Sequence, residues 1–166
     1  MSLSRLAGAR GDTPIWTASG APAILLNFGL VLTGALMTFF AYHLRSTNLF
    51  PKWSGTSGKT MFIVAGTLLL LIGVIPLPLG IFHDMVSYPF FLTAAFSLML
   101  MGVSSLGIAE ERTKGKVLIV LGVLMLAPFG LAWAFKGLAI PELMGLAPLV
   151  VFCQLIGYKL VKGQVA

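Results

Sequence analysis

The chain has 166 residues, 58% of them hydrophobic and 10% charged, with a mean hydropathy of +0.99. A soluble domain carries about a quarter of its residues as charged ones, so this composition excludes an ordinary soluble fold and indicates an integral membrane protein. The net charge of +6 does not point to nucleic acid, because the bases sit in short connections between apolar runs and form no stripe interleaved with aromatics.

Residues 1–20 are mixed and polar, with Arg5, Arg10, Asp12 and Pro14. They lack the charged start, apolar middle and small-residue cleavage site of a signal peptide, and are expected to stay on as a tail or surface segment. A bilayer core of about 30 Å needs roughly 20 apolar residues in a helix. Ala21–Leu44 meets that length and is span one; within it Gly29 and Thr33, four apart, are a small-xxx-small pair of the kind that admits a neighbouring helix. Arg45–Lys59, with three bases, a proline and two glycines, reads as an interfacial loop with Trp53 at headgroup depth.

Span two, Thr60–Ile75, is short, and Pro76 and Pro78 prevent a regular helix from continuing through Gly80. Span three runs over Ile81–Ala109, with a kink expected at Pro89 that frees a carbonyl near Met85. Glu110, Glu111, Arg112, Lys114 and Lys116 make a charged hairpin loop. Span four is Val117–Phe135, with a second kink expected at Pro128 and Gly130 and Lys136 snorkelling to the interface. Span five, Pro141–Leu160, opens with proline at a favourable first position and Glu142 in the first turn, where the positive helix end favours an acid. Residues 163–166 are a short tail. The expected fold is all-α: one domain over 21–162, a bundle of five transmembrane helices with a Pro-broken connection between spans two and three.

Five spans place alternate connections on opposite sides. Arg45, Lys52, Lys59, Arg112, Lys114, Lys116, Lys159 and Lys162 fall on one side and Arg5, Arg10 and Lys136 on the other, out of 11 bases in all. The positive-inside rule makes the first side cytoplasmic, the amino terminus external and the carboxyl terminus internal, in the plasma membrane. His83, Asp84 and Glu142 then share the outer face.

That face holds the candidate chemistry. His83 and Ser87 are four apart on one helix, so a histidine base beside a serine nucleophile, oriented by Glu142 from span five, would be a hydrolytic or transferase set acting on lipid. The alternative is structural: His83 and Glu142 as a hydrogen-bonded or ionic pair tying span three to span five. His83, Asp84 and Glu142 also offer three ligands to a divalent ion, while His43 is expected on the opposite side and cannot join them. The two histidines are too far apart to share a haem, and no cofactor is expected. Asn27 and Gln154, polar within spans one and five, read as interhelical hydrogen-bonding groups before they read as a transport path. Cys153, the single cysteine, lies in an apolar run and excludes an intrachain disulfide.

Several of these residues together resemble a known family. GVIP at Gly73–Pro76, His83 seven residues after Pro76, and the pair Phe90 and Phe91 resemble the signature of the domain-of-unknown-function 998 family, prokaryotic multi-pass membrane proteins distantly akin to the Frag/DRAM/Sfk group. NFGLVLTG at Asn27–Gly34 resembles the family's asparagine-glycine span, and Glu142 with the apolar run ending at Lys159 resembles its final helix. Ser4, Arg5 and Leu6 resemble a segment that the family places before a further, preceding span. The resemblance implies that this span is absent here or is supplied by a partner, and it brings no established activity. The function expected is non-catalytic: a small accessory or scaffold subunit packing against another membrane protein or a second copy, or a protein that contacts membrane lipid. The competing classes are the lipid-directed enzyme and a small transporter.

Overall fold

A computed structural model describes residues 21–75, 79, 81–131 and 139–162. Among them are five α-helices: α1 (Ala21–Ser46), α2 (Trp53–Val74), α3 (Ile81–Leu106), α4 (Arg112–Leu131) and α5 (Ala139–Val161), with a short 3-10 turn, Ala109–Glu111, before α4. α1 from Ile24, α2 and α3 are long and apolar enough to cross a membrane, and α5 contains a shorter apolar stretch, Met144–Leu160. The chain is therefore a membrane-type helical protein.

Each helix packs on the next in chain order. α1 and α2 run antiparallel, because contacts pair low α1 numbers with high α2 numbers: Gly73 lies on Asn27 and Val31, Leu70 on Gly34, Gly66 on Thr38. The succession closes through Phe152 of α5, whose ring meets Phe62 of α2 edge-on at 5.0 Å and Phe40 of α1 at 6.4 Å. Edge-to-face rings at such spacings are the preferred aromatic geometry. Around this trio lie the buried side chains of Leu98 and Met101 from α3, Leu118 and Met125 from α4, and Ile156 from α5.

Small residues set the helix spacing. Lipid is as apolar as leucine, so helices in a bilayer associate by close packing, and glycine permits the closest approach. A Cβ built on Gly34 would stand 2.3 Å from the backbone nitrogen of Leu70. Across α3 and α4, Gly102 and Gly115 oppose each other so closely that a Cβ on either would stand 2.7 Å from the other's carbonyl oxygen. Gly29 behaves differently: among the described residues, no atom lies within 4 Å of its Cβ position. It does not serve the contact between α1 and α2.

Two expectations change, the starts of α2 and α4. Trp53–Lys59 is helical, so α2 begins well before Thr60. Its two glycines do not loosen a loop: Gly55 is pressed against the carbonyl of Phe50 and Gly58 against that of Ser97. α4 likewise starts at Arg112, so Arg112, Lys114 and Lys116 stand on its first turns. α3 passes through Pro89 without ending, and the Thr93 hydroxyl donates to the carbonyls of Pro89 (2.7 Å) and Phe90 (3.1 Å). The break between α2 and α3 falls where expected, after Val74 and before Ile81; Pro76, Pro78 and Gly80 themselves lie outside the described residues. So do residues 1–20, Lys136 and the side chains of Pro128 and Gly130.

Candidate functional site

The predicted outer-face group is assembled around a helix end. α2 stops at Val74, and Ile75 turns away from helical geometry (φ −105, ψ 84) while its N–H still donates to Leu71 O at 2.7 Å. The carbonyls of a helix's last turn lack intrahelical donors and need partners from elsewhere. His83, in the first turn of α3 and 6% exposed, supplies one: its Nδ1 lies 2.7 Å from Ile75 O. A carbonyl oxygen only accepts, so Nδ1 carries the proton and donates. Nδ1 is therefore the ring nitrogen committed to the backbone, and Nε2 faces away from this bond.

The imidazole is thus a clamp from α3 to the end of α2. Ser87, one turn on, has a buried Oγ with no hydrogen-bond partner among the described residues, so it is not paired with His83. Activation of a serine by a base requires that hydrogen bond. Asp84 is half-buried in the first turn of α3, where the helix dipole favours an acid. Glu142 falls within α5, and its side chain lies outside the described residues. Among the described residues, no three His, Cys, Asp or Glu side chains come together as metal ligands. Asn27 sits where α1 crosses α2, its carbonyl against Gly73. Gln154 is exposed on the surface of α5.

Removing the clamp leaves the Ile75 carbonyl without its donor. His83→Phe, which keeps ring volume, is expected to cost about 1–3 kcal/mol, the penalty of an orphaned buried acceptor, read as a lower unfolding midpoint in detergent. An unchanged midpoint would show that the contact carries no weight.

The more elaborate polar construction is at the other end, where α1, α3 and α5 finish and α2 and α4 start. Lys59, 4% exposed, sends its Nζ to Thr47 O (3.1 Å) and Leu49 O (3.0 Å), carbonyls of the connection between α1 and α2. That connection is tight. Thr47 Oγ1 donates to Leu44 O at 2.8 Å, and Phe50 turns inward, 2% exposed, with φ 57 in the left-handed region. A phenylalanine there costs on the order of 1–3 kcal/mol and persists only where its surroundings impose it. Here they do. The Lys114 ammonium lies over the Phe50 ring, 4.6 Å from its centroid, and Gly55 backs the Phe50 carbonyl.

Lys114 also pairs with Glu111, three residues earlier, and Lys159 of α5 approaches the same carboxylate at 3.7 Å. Burial raises the Glu111 carboxyl, but the hydrogen bond and charge of Lys114, reinforced by Lys159, outweigh it and hold the group below its ordinary value. Burial lowers the Lys114 ammonium, and Glu111 offsets that only in part. One carboxylate thus joins α4 to α5.

Sequence reasoning treated these bases as an orientation signal and missed their internal role. The signal was present in the spacing. Gly55, Gly58, Lys59, Phe62, Ala65, Gly66, Leu69, Ile72 and Gly73 are the buried positions of α2, at helical spacing, and that spacing runs back through the stretch read as a loop.

A family model described as "Protein of unknown function (DUF998)" matches residues 2–158 of the chain. No curated protein and no solved structure matches it.

Proposed function

Given that the chain belongs to the DUF998 family, we propose that it works through its helix surfaces, as a small non-catalytic accessory or scaffold subunit that packs against another membrane protein. The reading takes all five helices as spans of the plasma membrane, with the basic end cytoplasmic under the positive-inside rule. The observation that carries it is the flank of α1 turned away from α2. Only 17% of the apolar stretch of α1 is buried, against 44% in α2 and 50% in α3.

Gly29 and Thr33 share that flank by helical spacing, with Phe40 at its edge against Phe62 of α2, while Asn27, Gly34 and Thr38 occupy the one that meets α2. Phe40 reaches Phe152, and above it Gly29 has open space and Thr33 is exposed. A glycine and a threonine four apart, unfilled by the described residues and flanked by exposed Leu32, Leu36 and Phe28, suit the approach of a further helix. His83 supports the non-catalytic reading, because its proton is spent on the backbone of Ile75.

Native mass spectrometry after gentle extraction tests this directly. Wild type is expected to carry a second polypeptide, either a partner or another copy. Gly29→Leu, whose Cβ has no described atom within 4 Å, is expected to fold normally and to lower that species about tenfold. A wild-type protein that is only monomeric, or a complex indifferent to Gly29→Leu, would refute the proposal.

A further inference from the structure

The basic end of the bundle carries positive charge that the chain's own acids do not balance. Arg45, Lys52, Lys59, Arg112, Lys114, Lys116, Lys159 and Lys162 gather there with only Glu110 and Glu111. The internal contacts account for few of them: Lys59 is turned onto carbonyls, and Lys114 and Lys159 share Glu111. Arg45, Lys52, Arg112 and Lys116 are exposed and have no ion-pair partner among the described residues. Arg45 also lies close enough to Lys59 to repel it, and among the described residues no carboxylate pairs with either. Like charges held together in a folded protein favour binding of an anion from outside, because the anion removes their mutual repulsion as well as adding its own attraction.

The depth of this cluster identifies the anion. Tyr42 near the end of α1, Trp53 at the start of α2 and Tyr158 near the end of α5 are 68%, 82% and 63% exposed, all at this end of the bundle. Exposed tyrosine and tryptophan at helix ends occupy the headgroup layer of a bilayer. Within a turn or two of them the exposed surface becomes apolar, with Phe39 on α1, Val120 on α4 and Leu155 on α5. A phosphate bound by the bases would therefore have acyl chains running along those faces. The frame is also preset. The connection between α1 and α2 is pinned by Lys59 and by the inward Phe50, so Arg45 and Lys52 are held on a stiff support.

We propose that Arg45, Lys52, Arg112 and Lys116 form a binding surface for the headgroup phosphates of anionic phospholipids in the leaflet that contains this end. The surface does not depend on the helix-packing role proposed for Gly29 and Thr33, which lie toward the other end of α1. Each base near a membrane surface contributes about 1 kcal/mol toward anionic lipid, so four together favour phosphatidylglycerol over phosphatidylcholine by tenfold or more, with a salt dependence that a purely apolar contact would lack.

The test uses the full chain in nonionic detergent, with lipid retention counted by native mass spectrometry and thermal unfolding followed as each lipid is titrated. Wild type is expected to retain phosphatidylglycerol about tenfold more than phosphatidylcholine, and to be stabilised by it more strongly. Substituting all four residues (Arg45→Gln, Lys52→Gln, Arg112→Gln, Lys116→Gln) is expected to bring the two lipids to parity. If that variant does not fold, raising sodium chloride to about 0.5 M with the wild-type protein gives the same comparison, and the preference should collapse. Equal retention of the two lipids by wild type, or a preference that survives both the substitutions and the salt, overturns the proposal. Soluble glycerol phosphate is the second arm. A stabilisation by it equal to that by phosphatidylglycerol would mean a free phosphate ligand and would also overturn the assignment to lipid.

Discussion

Gly34→Ala is expected to destabilise the protein by about 2–3 kcal/mol, whereas Gly29→Ala should leave stability unchanged or raise it by up to about 1 kcal/mol. The two glycines are five residues apart on one helix and have the same propensity, so any difference comes from their surroundings. The methyl on Gly34 would stand 2.3 Å from Leu70 N and 2.6 Å from its Cα, both backbone atoms that no rotamer change can move aside. α1 and α2 would have to separate, and the neighbouring contacts at Gly66 and Gly73 would open with them. The methyl on Gly29 meets nothing within 4 Å and gains the better helix propensity of alanine. Reversible unfolding in mixed micelles measures both. Equal midpoints for the two variants would mean that the glycine contacts do not set the spacing of α1 and α2.

The second large effect belongs to Lys59. Lys59→Met keeps the length and apolar stem but removes the ammonium that serves Thr47 O and Leu49 O. Two terms oppose each other. Losing a buried charge removes its desolvation cost, while leaving two acceptors of a tight connection without donors costs about 1–3 kcal/mol each where water cannot replace them. Leu49 is half-buried and Phe50 fully so, which keeps water from much of this connection. The acceptor term wins, for a net loss of about 2 kcal/mol. Lys52→Met, at an exposed position, should stay within about 0.5 kcal/mol of wild type. Limited proteolysis between Ser46 and Trp53 is an independent reading, since cleavage there should accelerate in the Lys59 variant alone. Matching unfolding curves for the two lysine variants would remove Lys59 from any structural role.

The helical, membrane-type character of the chain was legible from apolar run length alone, and so was the family, through GVIP, His83 and the phenylalanine pair. The break before Ile81 was also legible, because proline acts locally. The starts of α2 and α4 were not. Glycines and charges mark loops in water, yet they can equally lie on the first turns of helices, as Trp53–Lys59 and Arg112–Lys116 do. The partner of His83 was also hidden, for a different reason. Sequence reasoning pairs side chains with side chains, whereas the acceptor here is the backbone carbonyl of Ile75, exposed as an acceptor only because α2 ends there. The internal role of the basic cluster escaped because its residues come from two connections and the end of α5, and counting charge per side says nothing about which bases are turned inward.

The glycine contacts of α1 and α2 also govern how the molecule can move. They recur at three levels, Gly73 on Val31, Leu70 on Gly34 and Gly66 on Thr38, each an interlocking of a protrusion with a notch. Sliding one helix along the other by a turn would drive side chains into backbone at every level at once. Gly58 on Ser97, and Gly102 with Gly115, lock α3 to its two neighbours in the same manner. α1 to α4 therefore behave as one stiff plate. Among the described residues, α5 meets that plate through Phe152, the Glu111 carboxylate and the contact of Gly145 with the Phe91 ring, with no Cβ position as tightly blocked by backbone as those of α1 to α4. Among the described residues, α5 is accordingly the helix least interlocked with the rest.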